Sequence, residues 1–206
     1  SATQVKACTP LPVERTRNGF QDWVRPRLVA TNGLLFFCAD DASGSGQELW
    51  VSDGTPIGTT MVQIRAGLEG SDARDFAVFG NQVLFAADDG VNGFEPWITD
   101  GTPVGTMMLG DLESGGSSDP RAFFVTDFGG TQPLQALFLA TDDTGGAGTE
   151  LFKTDGTPAG TSMVADLYPG SNWRGPYDSN PVWFHELAGW VYFVASSATS
   201  KSELYL

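Results

Sequence analysis

A nine-residue motif recurs three times in this chain, and a chain that repeats itself folds as repeated units. Glu48-Leu49-Trp50-Val51-Ser52-Asp53-Gly54-Thr55-Pro56 returns as Glu95-Pro96-Trp97-Ile98-Thr99-Asp100-Gly101-Thr102-Pro103 and as Glu150-Leu151-Phe152-Lys153-Thr154-Asp155-Gly156-Thr157-Pro158. A Gly-Thr pair follows each copy, at Gly58-Thr59, Gly105-Thr106 and Gly160-Thr161, and a fourth copy begins at Glu203-Leu204-Tyr205-Leu206. The spacing is 47 residues from Asp53 to Asp100, 55 from Asp100 to Asp155 and 53 from Glu150 to Glu203. Periods of this size belong to solenoids, propellers and arrays, whose units bury their faces against one another.

Within each unit the pattern reads as four short strands. The first covers 27–31, 74–79, 121–126 or 182–186, and the second is the aromatic-rich run at 34–39, 83–87, 137–140 or 190–195. The third is the Glu-Leu-Trp strand, and the fourth covers 60–64, 107–112 or 162–167. Asn-Gly, Asp-Asp-Gly and Asp-Gly-Thr-Pro clusters between them supply the turn chemistry of tight hairpins, and no segment sustains a helical period. These features predict an all-β fold, a β-propeller of four blades with four antiparallel strands each. The expected organisation is one domain over 1–206: a closing segment and linker at 1–26, repeats at 27–73, 74–120 and 121–180, and a partial repeat at 181–206. That last repeat lacks a fourth strand. Val5-Lys6-Ala7-Cys8-Thr9-Pro10 aligns with Val164-Ala165-Asp166-Leu167-Tyr168-Pro169, so the N-terminal strand is expected to fill the place and close the ring, which would remove open sheet edges.

Composition narrows the function. The 24 aromatics exclude disorder, and most of the 26 Gly and 12 Pro punctuate the repeat. The net charge of −14 divides into +3 over residues 1–27 and −17 over 28–206. So acidic a body repels phosphate backbones, which argues against nucleic acid as a partner. No stretch reaches the roughly 18 apolar residues of a membrane span. No signal-peptide pattern opens the chain, and Ser1 reads as a mature or trimmed N-terminus. Catalytic material is scarce: three Lys, two Cys and one His, with no CxxC or HExxH. His185, in an aromatic strand, reads as an ordinary core or surface residue. Repeated acids argue against glycosidase chemistry, because an active site needs asymmetry. Cys8 and Cys38 form one disulfide if the protein is secreted. The other reading is two buried thiols, since Cys38 stands where other repeats have Ala86, Ala140 and Val194.

Three positions repeat with a chemistry of their own. The motif aromatics Trp50, Trp97, Phe152 and Tyr205 suit packing between neighbouring sheets. Arg27, Arg74 and Arg121 are equivalent, and pairing with Glu48, Glu95 and Glu150 would neutralise both groups. The hairpin before each Glu gathers acids: Asp40, Asp41 and Glu48, then Asp88, Asp89, Asn92 and Glu95, then Asp142, Asp143 and Glu150. Two carboxylates on a Gly-permitted loop with a third nearby suit Ca²⁺. Turn aspartates capping their own backbone account for the same residues without metal. The fourth copy has Ser196 and Ser197 in place of the acids. Trp173 lies in the longest loop between repeats and has no counterpart elsewhere, which suits either a ligand-binding aromatic or a lid on the adjacent blade.

Taken together, the copies resemble the ELWxxDGT-repeat family over residues 28–206, with Pro96 in place of Leu and Phe152 and Tyr205 in place of Trp. The resemblance implies a secreted or cell-surface β-repeat protein without a characterised enzyme activity. The expected function is a non-enzymatic extracellular structural or adhesive module that binds other proteins or surface polymers. The alternative is a lectin-like propeller binding glycans, with Ca²⁺ as its only candidate cofactor.

Overall fold

A computed structural model describes residues 6–7, 28–41, 43–143, 145–173, 175–198, 200 and 202–206. It is all-β, apart from a 3-10 turn at Pro158–Gly160. The strands are β1 (Lys6–Ala7), β2 (Leu28–Thr31), β3 (Leu34–Asp40), β4 (Glu48–Ser52) and β5 (Thr59–Val62). In the second repeat follow β6 (Arg74–Phe79), β7 (Gln82–Asp88), β8 (Phe94–Thr99) and β9 (Met107–Met108), and in the third β10 (Arg121–Thr126), β11 (Gln135–Asp142), β12 (Gly148–Thr154) and β13 (Ser162–Ala165). A small hairpin, β14 (Ser171–Asn172) with β15 (Gly175–Pro176), precedes β16 (Val182–Leu187), β17 (Trp190–Ala195) and β18 (Glu203–Tyr205).

Each repeat makes its own antiparallel meander: β2-β3-β4-β5, β6-β7-β8-β9, β10-β11-β12-β13 and β16-β17-β18. The N-terminal strand is not where the alignment put it. Lys6 and Ala7 pair with Asp40 and Ala39 of β3, on the edge that β2 also occupies, and not with β18. The reason is an edge left open within the first repeat: β2 stops at the Leu28–Phe37 pair, while β3 runs on to Asp40. No described strand flanks the outer edge of β18. The rest of 1–26, with Cys8, lies outside the described residues, as do Arg27 and Lys201.

Period-2 alternation gives each sheet two apolar faces, and the faces differ. One carries a row of rings across the first three strands: Phe76, Phe85 and Trp97, then Phe123, Phe138 and Phe152, then Phe184, Phe193 and Tyr205. We call it the leading face. The other, trailing face carries aliphatic residues such as Leu49, Leu84, Ile98 and Leu151. The leading face of each repeat lies on the trailing face of the one before. Phe36, Leu49 and Val51 meet Phe76, Val83 and Phe85; Leu84 and Ile98 meet Ala136 and Phe123; Leu137 and Leu151 meet Val191, Phe193 and Tyr205. Phe36, Phe85 and Phe138 are fully buried, each a stabilisation of about 1.5–3 kcal/mol. Trp97, Phe152 and Tyr205 thus pack between sheets, as the repetition of the position suggested, while Trp50 stacks on Phe37 of its own sheet. First strands also touch in succession, β2 with β6, β6 with β10 and β10 with β16.

Candidate functional site

Among the described residues the motif glutamates meet no arginine side chain. Glu48, Glu95 and Glu150 are completely buried and held by uncharged donors. Glu95 Oε2 accepts from the Leu112 backbone N–H at 2.9 Å and from Ser118 Oγ at 2.7 Å, while Oε1 accepts from the Ser118 N–H at 2.9 Å. Glu150 repeats this with Leu167 N–H at 3.0 Å, Ser179 N–H at 2.9 Å and the Ser179 hydroxyl. Glu48 accepts from the N–H groups of Ile64 and Arg65, both at 3.1 Å, and from Ser71 Oγ at 2.5 Å. Each carboxylate thereby clamps the end of the fourth strand and the start of the next repeat onto the third strand. Burial pushes all three carboxyls above their ordinary value, and the donors pull against it without prevailing. In the fourth repeat Glu203 is half-buried and accepts from Ser197 Oγ and from the Tyr205 hydroxyl.

The arginines serve the surface between repeats. Arg74 donates to Asp72 at 3.2 Å and to Asp119 of the next repeat at 2.9 Å, with its guanidinium 3.5 Å from the centre of the Phe94 ring. Arg121 pairs with Asp119 at 3.4 Å. The expected Arg–Glu pairing fails because backbone N–H groups reach the buried carboxylates first and solvate them without a second charge to desolvate.

The acidic hairpins resolve into turns. Asp89 Oδ1 accepts from the N–H groups of Val91 and Asn92, both at 2.8 Å, and Oδ2 accepts from Asn92 Nδ2 at 2.8 Å. Asp41 accepts from Ser43 N–H at 2.9 Å and Asp142 from Gly145 N–H at 2.6 Å. Asp88 takes the Gly90 N–H at 2.7 Å and forms an ion pair with Arg65. Hydrogen bonds from Ser43 hold the Asp41 carboxyl below its ordinary value; at Asp89 burial pushes upward, but the Asn92 and Val91 donors prevail. Asp143 is raised, by burial and by the nearby carboxylates of Glu113, Asp178 and Asp142. The Ca²⁺ reading joined each hairpin to its Glu, and those glutamates are enclosed among backbone donors. Among the described residues no group of three or more His, Cys, Asp or Glu is placed to hold a metal ion. The described residues bring no such set of ligands together.

The Asp-Gly-Thr-Pro turns close on themselves in the same way three times. Asp100 Oδ1 accepts from Thr102 N–H at 2.8 Å and Thr102 Oγ1 at 2.7 Å, and Thr102 Oγ1 accepts from Gly105 N–H at 3.0 Å. Asp53 and Asp155 do likewise, and the threonine donors hold all three aspartates below their ordinary value. A Cβ on Gly105 would lie 2.1 Å from Asp100 Oδ1, so the Gly of each Gly-Thr pair is a steric requirement.

Trp173 belongs to an insertion in the third repeat. The third repeat spaces its clamping Ser 29 residues after its Glu, against 23 in the first two. The extra length makes the β14–β15 hairpin, with Tyr168 and Tyr177 stacked at 4.6 Å beside it. Trp173 follows β14 and is 86% exposed. It is not a lid. His185 is exposed on β16. Sequence reasoning missed the clamping serines, whose signal was the recurrent Ser71-Asp72, Ser118-Asp119 and Ser179-Asn180. No described helix is long and apolar enough to cross a membrane. Compared with protein-family models and with curated proteins, the chain finds no match.

Proposed function

We propose that this chain is a non-enzymatic extracellular interaction module of the ELWxxDGT-repeat kind, an array of four propeller-type blades that presents the Trp173 hairpin to a partner protein or surface polymer. One observation carries the reading. The motif carboxylates and turn threonines are consumed in holding the fold, whereas the insertion in the third repeat builds a hairpin and leaves its Trp 86% exposed. Trp is a frequent anchor of binding energy at interfaces, and a hairpin on a rigid scaffold presents it with little ordering cost. Secretion brings with it the Cys8–Cys38 disulfide: Ala7 and Ala39, the sequence neighbours of the two cysteines, are partners in the β1–β3 ladder.

Glycan binding is the second reading, favoured by the stacked Tyr168–Tyr177 pair close in sequence to Trp173, since sugars bind on aromatic platforms. A glycan array and a pull-down from the protein's own extracellular surroundings, each run with wild type and Trp173→Ala, separate the two. Binding lost in the variant at unchanged melting temperature supports the hairpin as the contact, and the array decides whether the bound partner is a sugar. Undiminished binding by Trp173→Ala in both assays refutes the proposal.

A further inference from the structure

The loops of the second and third repeats hold one another in a fixed order. The Phe94 N–H donates to Ser117 Oγ at 3.0 Å, which ties the β7–β8 hairpin to the segment 113–117. From that segment Glu113 Oε2 accepts from the Asp143 N–H at 2.5 Å, in the β11–β12 hairpin of the third repeat. That hairpin is tied in turn to the segment 168–178, where Asp178 Oδ1 accepts from the Thr149 N–H at 2.8 Å. The first hairpin carries Val91, 83% exposed, and the last segment carries Trp173. Between these two apolar side chains the order of contacts places Glu113, Asp142, Asp143 and Asp178. Backbone N–H groups pin three of the four carboxylates, Asp142 through Gly145 at 2.6 Å, so they cannot spread apart. Partial burial and the carboxylates of Glu113, Asp178 and Asp142 hold Asp143 above its ordinary value, which places the four within range of one another's fields. Arg121 is paired with Asp119, and Arg174, outside the described residues, is one cation against four acids.

We infer, resting on the Trp173 hairpin as the contact, that the partner is a protein with an extended basic segment, Lys or Arg residues flanked by apolar ones. The four carboxylates form no metal-ligand set, so a single ion does not answer them. Separate ammonium or guanidinium groups along a chain do, each meeting one carboxylate. Apolar residues to either side meet Trp173 and Val91, and a cation over the indole adds to the attraction. Acidic polymers are repelled by the same field, and neutral sugars make no use of it.

Isothermal titration of the full chain with synthetic peptides tests the inference. Each peptide has a central run of Lys, of Glu or of Ser, flanked by Phe and Leu. The Lys peptide is expected to bind, less tightly as salt is added; the Ser peptide binds weakly and the Glu peptide not at all. Asp143→Asn with Asp178→Asn keeps an acceptor for the Thr149 N–H, and with it the melting temperature, yet weakens the Lys peptide roughly 10-fold. Asp41→Asn with Glu69→Gln removes the same charge from the first repeat and leaves that affinity unchanged. Equal losses in the two double variants overturn the inference, because the attraction is then diffuse. So does a Lys peptide that binds no tighter than the Ser peptide; a glycan or protein bound through Trp173 in that case leaves the hairpin as the contact and removes only the basic partner. Full-strength binding of the Lys peptide by Trp173→Ala refutes the hairpin as the contact, and the inference with it.

Discussion

Truncating Glu95 to Ala tests the account of how the repeats are joined. The carboxylate is the acceptor for two backbone N–H groups, those of Leu112 and Ser118, and for the Ser118 hydroxyl, all in a site without solvent access. Removing it orphans both N–H groups, at about 1–3 kcal/mol each, and leaves a small void lined by polar atoms. Relief from burying a charge returns part of this, so the net loss is about 2–5 kcal/mol. For a chain of this length 1 kcal/mol corresponds to roughly 2–4 °C, which puts the fall in melting temperature at about 5–15 °C. Thermal melts give the total, and hydrogen exchange locates it: the amides of Leu112 and Ser118 lose protection before those of β7. Glu95→Gln keeps one acceptor oxygen and falls between wild type and Ala. If Glu95→Ala melts within a degree or two of wild type and both amides stay protected, the clamp is not what joins the strand to the following repeat.

Other expectations follow from the same contacts. Glu48, Glu95 and Glu150 are raised above 4.5 by burial. The folded chain therefore holds those protons more tightly, and the stability they confer is complete below about pH 4.5 and lost as pH rises through the folded values. Asp53, Asp100 and Asp155 are lowered from 3.8, so their contribution is present above about that pH and lost below it. Urea unfolding across pH should show greatest stability in mildly acid solution, with a shallower decline toward neutral pH in Glu95→Gln; a slope unchanged by that substitution contradicts the assignment. Gly105→Ala drives a methyl into the Asp100 carboxylate and should cost about 1–3 kcal/mol, read as a melting shift of several degrees, and a neutral result would show that the turn yields. Non-reducing peptide mapping of secreted protein should recover Cys8 linked to Cys38, and alkylation of both thiols without reductant would exclude the bond.

The strands and turns were legible because their signals are local. Asp-Gly-Thr-Pro specifies a turn through its own atoms, and aromatic runs at fixed spacing announce interleaved sheets. The Glu–Ser clamp was not legible, since two of its three donors are backbone N–H groups, which no residue letter encodes. Matching opposite charges drew Arg74 toward Glu48 and Glu95, although Asp72 and Asp119 lay nearer to it in the fold. The N-terminal strand misled for a related reason: similarity to Val164-Ala165 says that a segment can be a strand, while the open edge of β3 decides where it pairs. Trp173 was visible as an aromatic without a counterpart, but its exposure on a hairpin was not.

The clamp has one more property. Between its two anchoring points the chain spans residues 113–117 in one repeat and 168–178 in another, and both lengths leave the anchors in place. Doubling a loop whose ends are fixed costs only about 0.6 kcal/mol, so this segment can lengthen while residues such as Ser117, Glu113 and Asp178 keep their bonds to the N–H groups of Phe94, Asp143 and Thr149. The first three repeats thus carry an insertion port, a position at which extra length is accepted between fixed anchors. Length can therefore change there one repeat at a time, and an engineer can graft there for the same reason.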